Sequence, residues 1–167
     1  MPSPFHFYTH YLKQLSQILQ KAKQRDLDGA LLHSKLAPDM FPLHQQVTTT
    51  ISFAVRALEA IAGVQSLETR PTELSYGALI EKVDEITAQI NHLPALSWTN
   101  YQEKQIHLVA GFEQQTFSGV EYLSLFSQPN FLFHLNMVYS ILRSNGVPLS
   151  KGDYDGFHVY PEQFQFD

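Results

Sequence analysis

Cysteine is absent from the chain. That excludes disulfides, thiolate-held metals and a cysteine nucleophile, and it fits a reducing setting. Cations are also scarce, with 11 Lys+Arg against 16 Asp+Glu and a formal charge of -5. A nucleic-acid surface needs clustered Lys and Arg to displace counterions. None cluster here, so no nucleic-acid partner is expected. No apolar run approaches the roughly 20 residues that span a bilayer. The opening stretch "MPSPFHFYTHYLKQLSQ" also lacks the basic-then-apolar layout of a signal peptide. No membrane association and a cytoplasmic location are therefore expected. Missing too are a G-x-S-x-G nucleophile elbow and a glycine-rich phosphate loop. Internal repeats and low-complexity segments are not seen, and the 167 residues suit one domain, 1–167, large enough to bury a core without staples.

What remains is mostly helical periodicity. Tyr8, Leu12, Leu15, Leu19 and Ala22 recur at steps of four and three, which predicts a first helix fading between Arg25 and Gly29. A second helix should open within "DMFPLHQQV", with Pro42 in its first turn and a stripe of Leu43, Val47, Ile51, Ala54, Leu58 and Ile61; Gly63 is its expected stop. Leu79, Val83, Ile86, Ile90 and Leu93 mark a third helix ended by Pro94. "QIHLV" and "QQTF" flank "AGFE" and predict a short hairpin with Gly111 in the turn, Ile106 and Leu108 on one face and His107 on the other. Ser118 and Glu121 have capping-box spacing. Pro129 is expected to break or kink the chain before a last long helix that ends at Asn145-Gly146. Residues 146–167, rich in turn formers and aromatics, should pack on the bundle as an irregular tail that frays at its end. The fold class this predicts is all-α: a four-helix bundle with a small β-hairpin before the last long helix.

Eight histidines and 13% aromatic residues are the compositional surplus. His134 lies early in the last helix with Asn130 one turn before it. Side chains at i and i+4 are neighbours, so a His-x-x-x-His pair grips a metal, whereas an amide oxygen is a weaker donor for zinc or nickel. Two readings stay open: a metal role for His134, or a hydrogen-bonded histidine beside the core, with Asn130 capping its helix. His44, in the first turn of the second helix, is a further candidate. It converges with His134 if their helices run parallel and lies at the other end if they run antiparallel. His6, His10, His33, His92, His107 and His158 read as surface residues. The pair Asp84-Glu85 reads as a solvated face, and Asp39 as a helix cap. Phe41, Trp98, Tyr101, Phe112, Phe117, Phe126, Phe131 and Phe133 read as core fillers or as the lining of an apolar ligand site.

Two stretches, "LAPDMFPLHQQV" (36–47) and "PNFLFHLNMVYSILRSNGVPLSKGDY" (129–154), together with "FSGVEYL", resemble an uncharacterised bacterial family of the DinB/YfiT-like superfamily. The resemblance implies an up-down-down-up four-helix bundle, in which the second and third helices are parallel. It also implies a homodimer. Metal-bearing members place one histidine on the second helix and His-x-x-x-His on the last; known members include thiol-dependent transferases and isomerases. Leu142, Arg143 and Gly146 stand where the family has Leu-Arg and Gly after its second histidine, so His134 matches that histidine and Asn130 takes the place of the first. His44 is the nearest counterpart of the second-helix ligand, with Gln45 and Gln46 beside it. The expectation is a degenerate metal site of His44, Asn130 and His134. It belongs either to a non-catalytic or weakly metallated bundle that binds a small molecule, or to a transferase or isomerase using zinc, nickel or manganese.

Overall fold

Burial at steps of four and three decides the first element. In the computed structural model, which describes residues 3–161, α1 (His6–Arg25) buries Tyr8, Leu12, Leu15, Ile18, Leu19 and Ala22 on one face. Its end is tied down by Asp26. The carboxylate of Asp26 accepts from the Leu31 N–H at 2.9 Å and from the Tyr76 hydroxyl at 2.7 Å. A 3-10 turn (Ala30–His33) leads to α2 (Leu43–Ala57), which starts directly after Pro42. No side chain caps α2, so the cap assigned to Asp39 from sequence is not formed. The helix widens into a π turn (Leu58–Ala62) and stops at Gly63, whose φ of 67° is a left-handed conformation that glycine reaches without a Cβ clash.

α3 (Tyr76–Asn91) opens on Ser75, whose hydroxyl accepts from the Ala78 N–H at 3.1 Å. It buries Leu79, Val83, Ile86 and Ile90. Two short 3-10 turns (Ala95–Trp98 and Tyr101–Glu103) lead to a hairpin of β1 (Gln105–Ala110) and β2 (Glu113–Ser118). The strands are antiparallel, with Ile106 opposite Phe117. Ile106 is buried and His107 exposed, as alternation requires. α4 (Gly119–Glu121) starts with the reciprocal capping box of Ser118 and Glu121. It opens into a π turn (Tyr122–Ser127) that runs straight into α5 (Gln128–Ser144).

Pro129 therefore does not break the chain: residues 119–144 stay helical throughout. The proline falls in the first turn of α5, directly after the π turn, where its missing N–H interrupts no regular α-helical ladder. α5 ends before Gly146, with φ 83°. The tail is not wholly irregular. Ser150 and Asp153 form a second capping box, and Lys151–Asp155 makes a helical turn, α6. After it the Phe157 ring stacks on His10 of α1 at 4.8 Å. The fraying expected at the last residues lies outside those described.

Long-range bonds fix the directions. Tyr8, near the start of α1, donates to Ser127 just before α5, and Ser127 donates to the Phe53 carbonyl late in α2. Asp26, past the end of α1, holds Tyr76 at the start of α3. So α1 and α5 run one way and α2 and α3 the other, in an up-down-down-up bundle. α2 packs mainly on α5, and α1 on α3. The stripes read from sequence meet in one core.

Candidate functional site

α5 buries Phe131, Leu135, Val138 and Leu142, one side chain per turn. His134 lies three residues past Phe131 and four before Val138, on the same flank but at its edge, and is half-buried. Facing it from α2 is Gln46, only 2% exposed. A buried carboxamide must have its donors and acceptor met, and both ends of Gln46 are. Its Nε2 donates to the Phe41 carbonyl at 3.3 Å, and its Oε1 lies 2.7 Å from Nδ1 of His134. The Phe41 carbonyl accepts only, so the amide nitrogen must face it. The amide oxygen then faces His134, and Nδ1 must carry the proton. The lone pair is left on Nε2, which has no hydrogen-bond partner among the described residues. No buried side-chain nitrogen or oxygen among them lacks a partner, so Nε2 reaches the surface.

Rings frame this imidazole. Phe41 and Phe53 lie nearly parallel to it, at centroid distances of 6.1 and 5.7 Å, and Phe133 meets it edge-on at 5.2 Å. Burial lowers the pKa of His134, and the nearby Arg56 guanidinium lowers it further. At neutral pH the site is an uncharged imidazole, oriented by a carboxamide and walled by aromatics.

The other expected residues sit apart. Asn130 is one turn before His134, but its Nδ2 donates back to the Phe126 carbonyl at 2.7 Å. It is within the helix and does not cap it. His44 stacks edge-on against His33, 5.7 Å away. Burial lowers its pKa first, and His33 adds to the effect. Two residues along a helix is a rotation of about 200°, so His44 and Gln46 leave opposite sides of α2. With α2 and α5 antiparallel, Gln46 comes to His134 and His44 does not. The sequence signal for Gln46 was available: it falls between Leu43, Val47 and Thr50 on the buried side, where a polar residue requires a partner. His10, read as a surface residue, instead bonds through Nε2 to the Asp155 carbonyl at 2.7 Å.

Among the described residues, no group of three or more His, Cys, Asp or Glu is placed to hold a metal ion. Gln46 meets the other ring nitrogen of His134, and the Asn130 amide, a harder and weaker donor than imidazole for zinc or nickel, is turned back to the Phe126 carbonyl. These residues do not supply the three-imidazole set implied by the resemblance.

A crystal structure of a DinB family member protein from Shewanella denitrificans is similar to this chain, with a TM-score of 0.79 and 26% sequence identity over 95% of this chain and 92% of that one. The class is thus a DinB-like helical bundle with an added β-hairpin. Residues 4–155 match the family described as Domain of unknown function (DUF1993), and the chain belongs to that family. None of the curated proteins matches it.

Proposed function

We propose that this protein is a non-catalytic, small-molecule-binding member of the DinB-like bundles, whose degenerate centre presents His134 Nε2 as a hydrogen-bond acceptor rather than as one corner of a metal cage. The observation that carries this is the Phe41–Gln46–His134 chain of hydrogen bonds, which leaves one tautomer and one free lone pair. A ligand hydroxyl or N–H would donate to Nε2, and its apolar part would lie against Phe41 and Phe53.

The same observation lends some support to a second reading, a divalent-metal-dependent transferase or isomerase. Metal-binding histidines are oriented through their other ring nitrogen in this way, and His44 and Asn130 would have to swing in to complete the set. Metal titration of untagged protein separates the two. Zinc, nickel and manganese are added while the melting temperature is followed, since an ion that binds only the native state must raise it. The first reading expects no rise at one equivalent, and a rise with each ion only at millimolar concentration. A sharp rise at one equivalent of any ion, lost in His134→Gln, supports the second.

The homodimer is likewise a proposal, supported by the resemblance. The apolar stripes of the helices are covered within one copy of the bundle and add no support to it. Light scattering on the purified chain decides it.

A further inference from the structure

The face of α2 opposite Gln46 carries His44, Thr48 and Thr49, and the four-residue steps to Ser52 and Arg56 drift from there back toward the Gln46 side. Such a polar stripe would ordinarily face bulk water. Here the connector between α2 and α3 crosses in front of it. Residues 69–74 and α2 border a half-open cleft of about 560 Å³, the size of a metabolite site. Arg56 reaches it from α2 and Arg70 from the connector. Among the described residues neither guanidinium makes an ion pair, although the exposed Glu68 carboxylate, which accepts from the Arg70 backbone N–H, offsets part of the Arg70 charge. The Arg56 guanidinium is instead held 5.2 Å over the Phe53 ring. Two like charges facing one cavity raise its potential and favour an anion. Guanidinium is also the group whose fork matches carboxylate and phosphate oxygens. Glu73 lines the same cavity. Its Oε1 accepts from the Ser75 hydroxyl at 3.2 Å, which leaves the cavity with two cations and one anion. The Thr48 and Thr49 hydroxyls both donate to the Gln45 carbonyl, at 3.2 and 2.7 Å. Their remaining lone pairs accept from a ligand. The lining therefore combines donors for an oxyanion with acceptors for hydroxyl groups.

We propose that this cavity between α2 and the 69–74 connector is a binding site for a small hydroxylated oxyanion, a hydroxy acid or a sugar phosphate, gripped by Arg56 and Arg70. Most of its lining lies on the other flank of α2 from Gln46, and it adjoins the His134 centre only through Arg56, whose guanidinium rests over Phe53. Each arginine supplies a charge-assisted contact, and loss of both is expected to weaken binding tenfold or more. The probes are citrate, glucose 6-phosphate and inorganic phosphate, titrated calorimetrically into the full chain at constant ionic strength. Amide NMR shifts are followed in parallel. The proposal expects saturable binding of citrate or glucose 6-phosphate, tighter than inorganic phosphate, with shifts centred on Thr49, Ser52 and Arg70. Which of the two binds identifies the oxyanion. Affinity should fall at least tenfold in the Arg56→Gln/Arg70→Gln variant and stay unchanged in His134→Gln. Saturation by neither organic anion at about 50 mM, a loss smaller than tenfold in the double variant, or shifts centred elsewhere would overturn it. A dependence on His134 would overturn it too, by moving the ligand to the other centre.

Discussion

Replacing Gln46 by leucine removes the acceptor that fixes the His134 tautomer and the donor that satisfies the Phe41 carbonyl. The expected cost is about 1–2 kcal/mol in denaturant unfolding, because buried polar groups lose their partners. The imidazole ¹⁵N signals should move toward a mixture of tautomers. Tyr8→Phe tests a second buried polar chain, Tyr8 to Ser127 to the Phe53 carbonyl, and should cost about 1 kcal/mol without disturbing His134. The pH dependence of stability follows from the two perturbed histidines. His134 and His44 both have lowered pKa values in the folded chain. The unfolded chain therefore binds protons more readily, and stability falls as pH drops below the ordinary histidine value of about 6.5. Denaturant midpoints measured from pH 7.5 down to 5 should decline, and less steeply in His134→Gln. His134 itself was legible in the sequence, as was the loss of its usual partner to Asn130. The Gln46 contact was not, because residue type tells that a buried amide needs a partner but not which flank of another helix supplies it.

Element boundaries were legible wherever a local rule decides them: Pro42 within a residue of the start of α2, Gly63 after its π turn, Ser118 at its capping box, Gly146 after α5. The π turn before α5, which buries Tyr122, Leu123 and Ser127, was not, since no residue in it punctuates the chain. Two close backbone approaches were also invisible. A Cβ at Gly119 would stand 1.9 Å from the Tyr101 carbonyl, and one at Gly152 would stand 2.0 Å from the His158 carbonyl. Gly119→Ala should destabilise the whole domain by about 2 kcal/mol or more, because backbone must shift. Gly152→Ala should act locally. It displaces His158 and with it the Phe157 ring from His10, and amide exchange should show that segment opening while the helices stay protected.

At the scale of the molecule, helix order and the hairpin follow from stripes and turn residues that need one another to be covered, whereas the up-down-down-up arrangement was expected from the family resemblance alone. What periodicity does not convey is register. His44 and Gln46 are two residues apart, yet they serve opposite flanks of α2, one toward the connector cavity and one toward α5. The proposed ligand-binding centre, a neutral imidazole held by a carboxamide, requires one protonation pattern of the His134 ring. The direct measurement is the side-chain ¹⁵N spectrum of His134 at pH 7, before and after one equivalent of zinc. A protonated Nδ1 and a bare Nε2, both unmoved by zinc, are predicted. A proton on Nε2, or an Nε2 signal displaced by stoichiometric zinc, would contradict the account.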